Sequence, residues 1–226
     1  MTLIMNQNFG QLLTVMSSDT RKVLRMNVLG TMVESKFTGD KSKIERLSPY
    51  CIFGGGGGDS IVDEIKRELK ESGGRYIEDF IEPFKACVAR LYGDSAYKRK
   101  MNNDIYAQVM ITGFNADNSL GRVSFVTGRD SEVEYTILPN YGTLQFIAPS
   151  EDEMEAAAEN VEYGTPANYR AYVDHTVTFL SEIQRAFHLN NPDAVSETFE
   201  YIAIYRDPDT NEFSCFEDSI NLIEQK

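Results

Sequence analysis

Few stretches of this 226-residue chain are equipped for chemistry, and the most distinctive is Gly54–Gly58, followed by Asp59 and Ser60. Consecutive glycines lose much conformational entropy on folding, so they belong where backbone must approach something closely or bend sharply. Asp59 and Ser60 suit the N-cap of a following helix. A short apolar strand, Tyr50 to Phe53, precedes the glycines. Strand, glycine turn and helix start together offer backbone N–H groups to an anion or to a developing oxyanion. The same run also reads as a surface linker. Lys43 sits just upstream, in Lys-Ile-Glu-Arg-Leu. His175 and His188 are the only histidines, on or beside one helical stretch, and their spacing supports neither a His-based triad nor a shared metal site. Cys51, Cys87 and Cys215 each have apolar neighbours. No pair has metal-ligand spacing, and an odd number suits a reducing compartment, so they read as buried thiols. No metal and no cofactor are expected.

The elements that must position these residues follow from hydrophobic period and turn chemistry. Residues 2–7 and 11–16 read as a hairpin joined through Asn8-Phe9-Gly10. Residues 22–38 fit either strand or helix, with Gly30 interrupting a long helix and Gly39-Asp40 marking a turn. Residues 42–47 and 50–53 form a second hairpin leading into the glycines. Residues 59–71 carry Ile61, Val62, Ile65 and Leu69 on one helical face. Residues 75–92 carry Ile77, Phe80, Ile81, Phe84, Val88 and Leu91, with Pro83 predicting a kink or a later start. These stripes are core faces. Strands are expected at 105–114, 122–127, 133–138 and 142–148, and helices at about 150–160 and 166–188. Strands at 198–206 and 213–216 close the chain, with a short one at 219–224. Blocks in the order strands, two helices, strands, two helices, strands suit two sheets packed face to face with helix pairs outside. The expected fold class is therefore α+β, a four-layer αββα sandwich in one domain over 1–226.

With these blocks in place, the chain resembles the N-terminal-nucleophile hydrolases of the proteasome β-subunit class, including bacterial proteasome-related peptidase subunits. Five local matches carry the resemblance. Met1-Thr2 opens on a strand; Asp19 ends the second strand in Ser-Ser-Asp-Thr-Arg; Lys43 lies on a basic strand; Gly54–Gly58 precede Asp59; and Asp193-Ala-Val-Ser196 precedes a late strand. The resemblance implies Thr2 as nucleophile after Met1 removal, Lys43 and Asp19 beside it, Asp193 and Ser196 ordering the amine, and Gly56 and Gly57 as oxyanion donors. A hydroxyl nucleophile needs a base, and an α-amine with pKa near 7.7–8.0 can serve. A neighbouring lysine ammonium favours deprotonation of both groups. The sequence departs from the family pattern in four respects. The Thr2–Asp19 and Asp19–Lys43 intervals are longer, Lys41 competes with Lys43, and Glu197-Thr198 replaces the small residues after Ser196.

Composition sets the outer limits. A formal charge of −13 opposes general nucleic-acid or anionic-membrane binding. No run approaches a membrane span, no signal-peptide pattern opens the chain, and a cytoplasmic location is expected. The first functional reading is a threonine hydrolase acting on peptide or amide bonds. It is expected to assemble with itself, as a homo-oligomeric ring, and to work with an ATPase or unfolded-peptide partner. The second is a catalytically inactive homologue with a structural, assembly or partner-binding role. A third is a small-molecule amidase of the same superfamily.

Overall fold

The structure, a computed structural model, describes residues 2–28, 31–95, 97, 107–127, 132–148, 150–159, 161–162 and 171–223. Strands β1 (Ile4–Phe9) and β2 (Leu13–Asp19) form the expected hairpin, in the register Phe9↔Leu13 to Ile4↔Ser18. Asn8 and Phe9 belong to the strand, and Gly10 makes the turn at φ +54°, a conformation that suits glycine. The ambiguous segment resolves as two strands, β3 (Arg21–Val28) and β4 (Thr31–Asp40), paired only with each other. Gly39-Asp40 is thus the end of a strand rather than a turn. Gly30, Ile105 and Tyr169 lie outside the described residues, as does residue 224 of the last expected strand.

β5 (Ile44–Ser48) and β6 (Cys51–Gly57) form the second hairpin. The glycines are not a turn: Gly54 to Gly57 continue the strand and pair residue by residue with Met110 to Ala107. Helix α1 (Asp59–Glu71) starts where expected, but its N-cap is Gly58 rather than Asp59 or Ser60. Asp59 occupies the first turn, where a carboxylate complements the helix dipole. A 3₁₀ turn (Ile77–Phe80) precedes α2 (Ile81–Gly93), so Pro83 falls in the first turn of a later-starting helix, where its missing N–H costs little. The remaining elements are β7 (Ala107–Phe114), β8 (Leu120–Val126), β9 (Glu134–Ile137), β10 (Thr143–Ile147), α3 (Glu151–Glu159), α4 (Ala171–Asn190), β11 (Thr198–Arg206) and β12 (Phe213–Asn221).

These strands form two antiparallel five-stranded sheets, ordered β10-β1-β2-β11-β12 and β5-β6-β7-β8-β9, with the β3–β4 pair separate. The expected four-layer αββα sandwich is corrected by this content. Among the described residues strand outweighs helix, with two antiparallel five-stranded sheets and four helices, a β-rich mixed chain. Block order reports which elements form but not how they are layered. Here the ambiguous segment and the glycines both became strand.

Three apolar clusters hold the elements. Ile61, Ile65, Phe84 and Leu91 pack on Phe53, Val109 and Phe125. Leu180, Ile183 and Phe187 pack on Leu3, Val15 and Phe199. Ile4, Met16, Ile202 and Ile204 of one sheet meet Ile44, Ile52 and Met110 of the other. Each such fully buried side chain contributes about 1.5–3 kcal/mol. No helix among the described residues is long and apolar enough to cross a membrane.

Candidate active site

The residues converge at the open end of the β1–β2 hairpin. The Asp19 backbone N–H donates to Leu3 O at 3.1 Å, which closes the hairpin. Its carboxylate, completely buried, turns back into the sheet end. Asp19 Oδ1 accepts from Leu3 N at 2.8 Å and from Lys43 Nζ at 2.5 Å. Asp19 Oδ2 accepts from Arg21 N at 3.0 Å and from Ser196 N at 3.4 Å. One aspartate thus joins the start of β1, the lysine before β5 and the loop before β11.

Lys43 reaches this position because the chain ahead of β5 is pinned by Gly55 N, which donates to Lys43 O at 3.0 Å. Its side chain is 9% exposed. Burial pushes the Lys43 ammonium below the ordinary lysine range; the Asp19 charge and hydrogen bond oppose that push, with smaller help from Asp59 and Glu200. The competition between Lys41 and Lys43 is settled by geometry. Lys41 Nζ turns outward to Asp63, at 3.0 Å, and to Asp59, at 3.7 Å.

The glycines explain how the opposite sheet comes so close. A Cβ on Gly54 would lie 2.6 Å from Met16 Sδ, and one on Gly56 would lie 2.6 Å from Thr2 Cγ2 and 2.9 Å from Thr2 Cβ. Gly55 faces the other way, against Val62 and Phe53. Gly54 and Gly56 therefore form a bare strip of strand that seats β1 and β2. Thr2, half-buried, rests on Gly56. N–H groups alternate along a strand, so Gly57 N–H faces the same edge as Gly55 N–H, the edge on which Lys43 lies. At Gly57 (φ +96°) β5 does not extend far enough to pair with this N–H.

Ser196 is drawn in beside Asp19. The Ser196 side chain is 3% exposed. Its Oγ accepts from Thr20 N at 3.0 Å, lies 3.2 Å from Thr20 Oγ1 and donates to Thr198 O at 3.2 Å. Its hydroxyl is thus tied to the end of β2 and the start of β11. Asp193 is exposed, in the turn where Ala194 N and Val195 N bond to Asn191 O. Glu197 pairs with Arg21 at 3.3 Å, which places opposite charges beside the cluster.

Three contributing residues escaped the motif reading. Gln184, fully buried on α4, donates to Ser196 O at 3.2 Å and Thr198 O at 2.8 Å. His188 Nδ1 lies 2.8 Å from Val195 O. Thr20 bonds Ser196, as above. Gln184 and His188 are four apart on one helix face, and that spacing is the signal available in the sequence. The thiols take no part. Burial pushes Cys51 well above its ordinary range and Cys87 up to about 11, and Cys215, also raised, is only partly buried. No family model matches the chain, and no curated protein matches it.

Proposed function

We propose that the chain is an N-terminal-nucleophile hydrolase of the proteasome-like type, cleaving peptide or amide bonds through Thr2. The observation that carries this reading is the buried Asp19–Lys43 pair at 2.5 Å, bonded through the same carboxylate oxygen to the amide of the residue after Thr2. Thr2 Oγ1 attacks the substrate carbonyl carbon, and its proton passes to the α-amine of Thr2. The carbonyl oxygen becomes the tetrahedral oxyanion, held by Gly57 N–H. Collapse returns the proton to the leaving amine and leaves an ester on Thr2. Water then attacks the ester, releasing the acid and restoring the hydroxyl. Lys43, held by Asp19, keeps positive potential beside the amine and hydroxyl and favours their deprotonated forms.

The mechanism requires Thr2 to carry a free α-amine, which for this sequence means removal of Met1. The test is the N-terminal mass of the native protein, followed by labelling with a hydroxyl-directed electrophile. Modification at Thr2 that disappears in Thr2→Ala and falls sharply in Lys43→Ala supports the reading. Retained Met1, or labelling indifferent to both substitutions, sinks it and leaves the non-catalytic reading.

A further inference from the structure

Between the two sheets, next to the Asp19–Lys43 pair, lie two polar atoms that the catalytic scheme does not use. Glu200 Oε2 and Ser18 Oγ are both buried, with no hydrogen-bond partner among the described residues. They belong together. Glu200 of β11 stands opposite Ser18 of β2 in the antiparallel register, and Ser18 stands opposite Ile4 of β1. Side chains alternate across a strand. Phe199 and Ala203 belong to the cluster under α4, whereas Ile202 and Ile204 belong to the cluster between the sheets. Glu200 therefore shares the inter-sheet face of Ile202 and Ile204, and Ser18 shares that of Met16. Thr2 has the same parity as Ile4. The Glu200 carboxylate thus enters the same inter-sheet space that Thr2 borders at Gly56.

A buried carboxylate oxygen without a donor is costly, so its retention needs a compensating charge nearby. Lys43 is bonded to Asp19 of β2, and Asp59 of α1 and Glu200 of β11 are carboxylates whose charge also acts on it through space. Asp59 is half exposed and shared with Lys41. Asp19 is already bonded to Leu3, Arg21 and Lys43. Glu200 is the remaining carboxylate with an uncommitted oxygen.

We infer that Glu200 is a positioning residue for Lys43: a second, inter-sheet carboxylate that keeps the buried ammonium charged, with Ser18 opposite it in register. Asp19 fixes where Lys43 sits, and Glu200 sets how readily it gives up its proton. The consequence for turnover rests on the hydrolase reading above, but the electrostatic coupling does not.

The test is therefore a direct titration of the Lys43 ammonium by heteronuclear NMR in the full chain, with Lys43→Arg assigning the signal. In Glu200→Gln the Lys43 midpoint is expected to fall by about 0.5–1 pH unit relative to the unsubstituted protein. Glu200→Asp, which keeps the charge, restores most of the difference. Asp59→Asn, at a partly exposed site, shifts the midpoint less. Should the glutamine variant not fold, Glu200→Ala reads the same shift without an amide to bury. A Lys43 midpoint unchanged in the folded variants, or one that moves equally in Asp59→Asn, overturns the inference. These outcomes are independent of Thr2 labelling. Failed labelling with a shifted midpoint removes only the hydrolase reading, and intact labelling with an unmoved midpoint removes only the role of Glu200.

Discussion

Thr2 is seated on the bare backbone of Gly56: a methyl group added there would come within 2.6 Å of Thr2 Cγ2. Gly56→Ala must displace Thr2. A displacement on the order of 1 Å in a reacting group costs about a hundredfold in rate. Electrophile labelling of Thr2 in Gly56→Ala is expected to fall by roughly that factor. In Gly54→Ala the atom met first is Met16 Sδ, the far part of a flexible side chain. That substitution is expected to cost stability, read by urea unfolding, with much less effect on labelling.

The buried Asp19–Lys43 pair makes a different prediction. Removing one partner leaves an uncompensated buried charge, which costs about 3–5 kcal/mol. Asp19→Asn is expected to destabilise in that range. The double variant Asp19→Asn with Lys43→Met is expected to lose much less than the sum of the singles, because it removes both charges. Additivity in the denaturation cycle would contradict the pairing. Lys41→Ala breaks only exposed ion pairs and is expected to change stability by less than about 1 kcal/mol.

The depressed Lys43 midpoint fixes a pH dependence with a definite sign. Burial lowers the folded-state value below that of the unfolded chain. Between the two midpoints the unfolded chain binds more protons, so stability rises with pH through that window. The cost of burying the ammonium is fully present below the folded midpoint and is gone above the unfolded one. Urea unfolding of the wild-type protein minus that of Lys43→Met, measured across alkaline pH, is expected to show this rise. A flat or falling difference would refute the assignment of Lys43 as a buried, disfavoured ammonium.

Gln184 ties α4 to the site loop through the carbonyls of Ser196 and Thr198. Gln184→Ala removes a donor from the Ser196 carbonyl and one of the two side-chain donors of the Thr198 carbonyl, which keeps Ser196 Oγ, and a loss of roughly 1–3 kcal/mol is expected in thermal or urea unfolding. Hydrogen exchange is expected to accelerate first at Thr20 N, whose acceptor is Ser196 Oγ. Uniform loss of protection across the sheet would instead point to a general packing defect.

Local signals were legible where chemistry is local. The amphipathic stripe of 59–71 placed α1 to the residue, and the alternation of 198–206 placed β11. The glycine run was legible as close approach but not as strand. Glycine carries no side chain to show alternation, so its pairing with β7 is visible only in the sheet. Residues 22–38 carried no decisive period, and their pairing partner decided them. The four-layer sandwich went wrong at the same level: the order of elements does not specify how they stack.

The motif residues had the same mixed fate. Asp19, Lys43 and Ser196 converge, and Asp193 lies three residues before Ser196 in an exposed turn. Gln184 and Glu200 were silent because polar residues in helices and strands are common, and Thr20 because it lies between two strands; only their tertiary partners and surroundings single them out.

By itself, the sequence determined what depends on neighbours along the chain: which stretches are strand or helix where the period is strong, as in 59–71 and 198–206, and which faces of them are apolar. Tertiary structure decided everything that depends on distance between segments. It chose Lys43 over Lys41, placed Thr2 on Gly56, and brought Glu200 and Ser18 opposite one another beside the Asp19–Lys43 pair. The physical reason is that charge and hydrogen bonding act through space and through the local dielectric. Burial, which sets both, exists only once the sheets have packed.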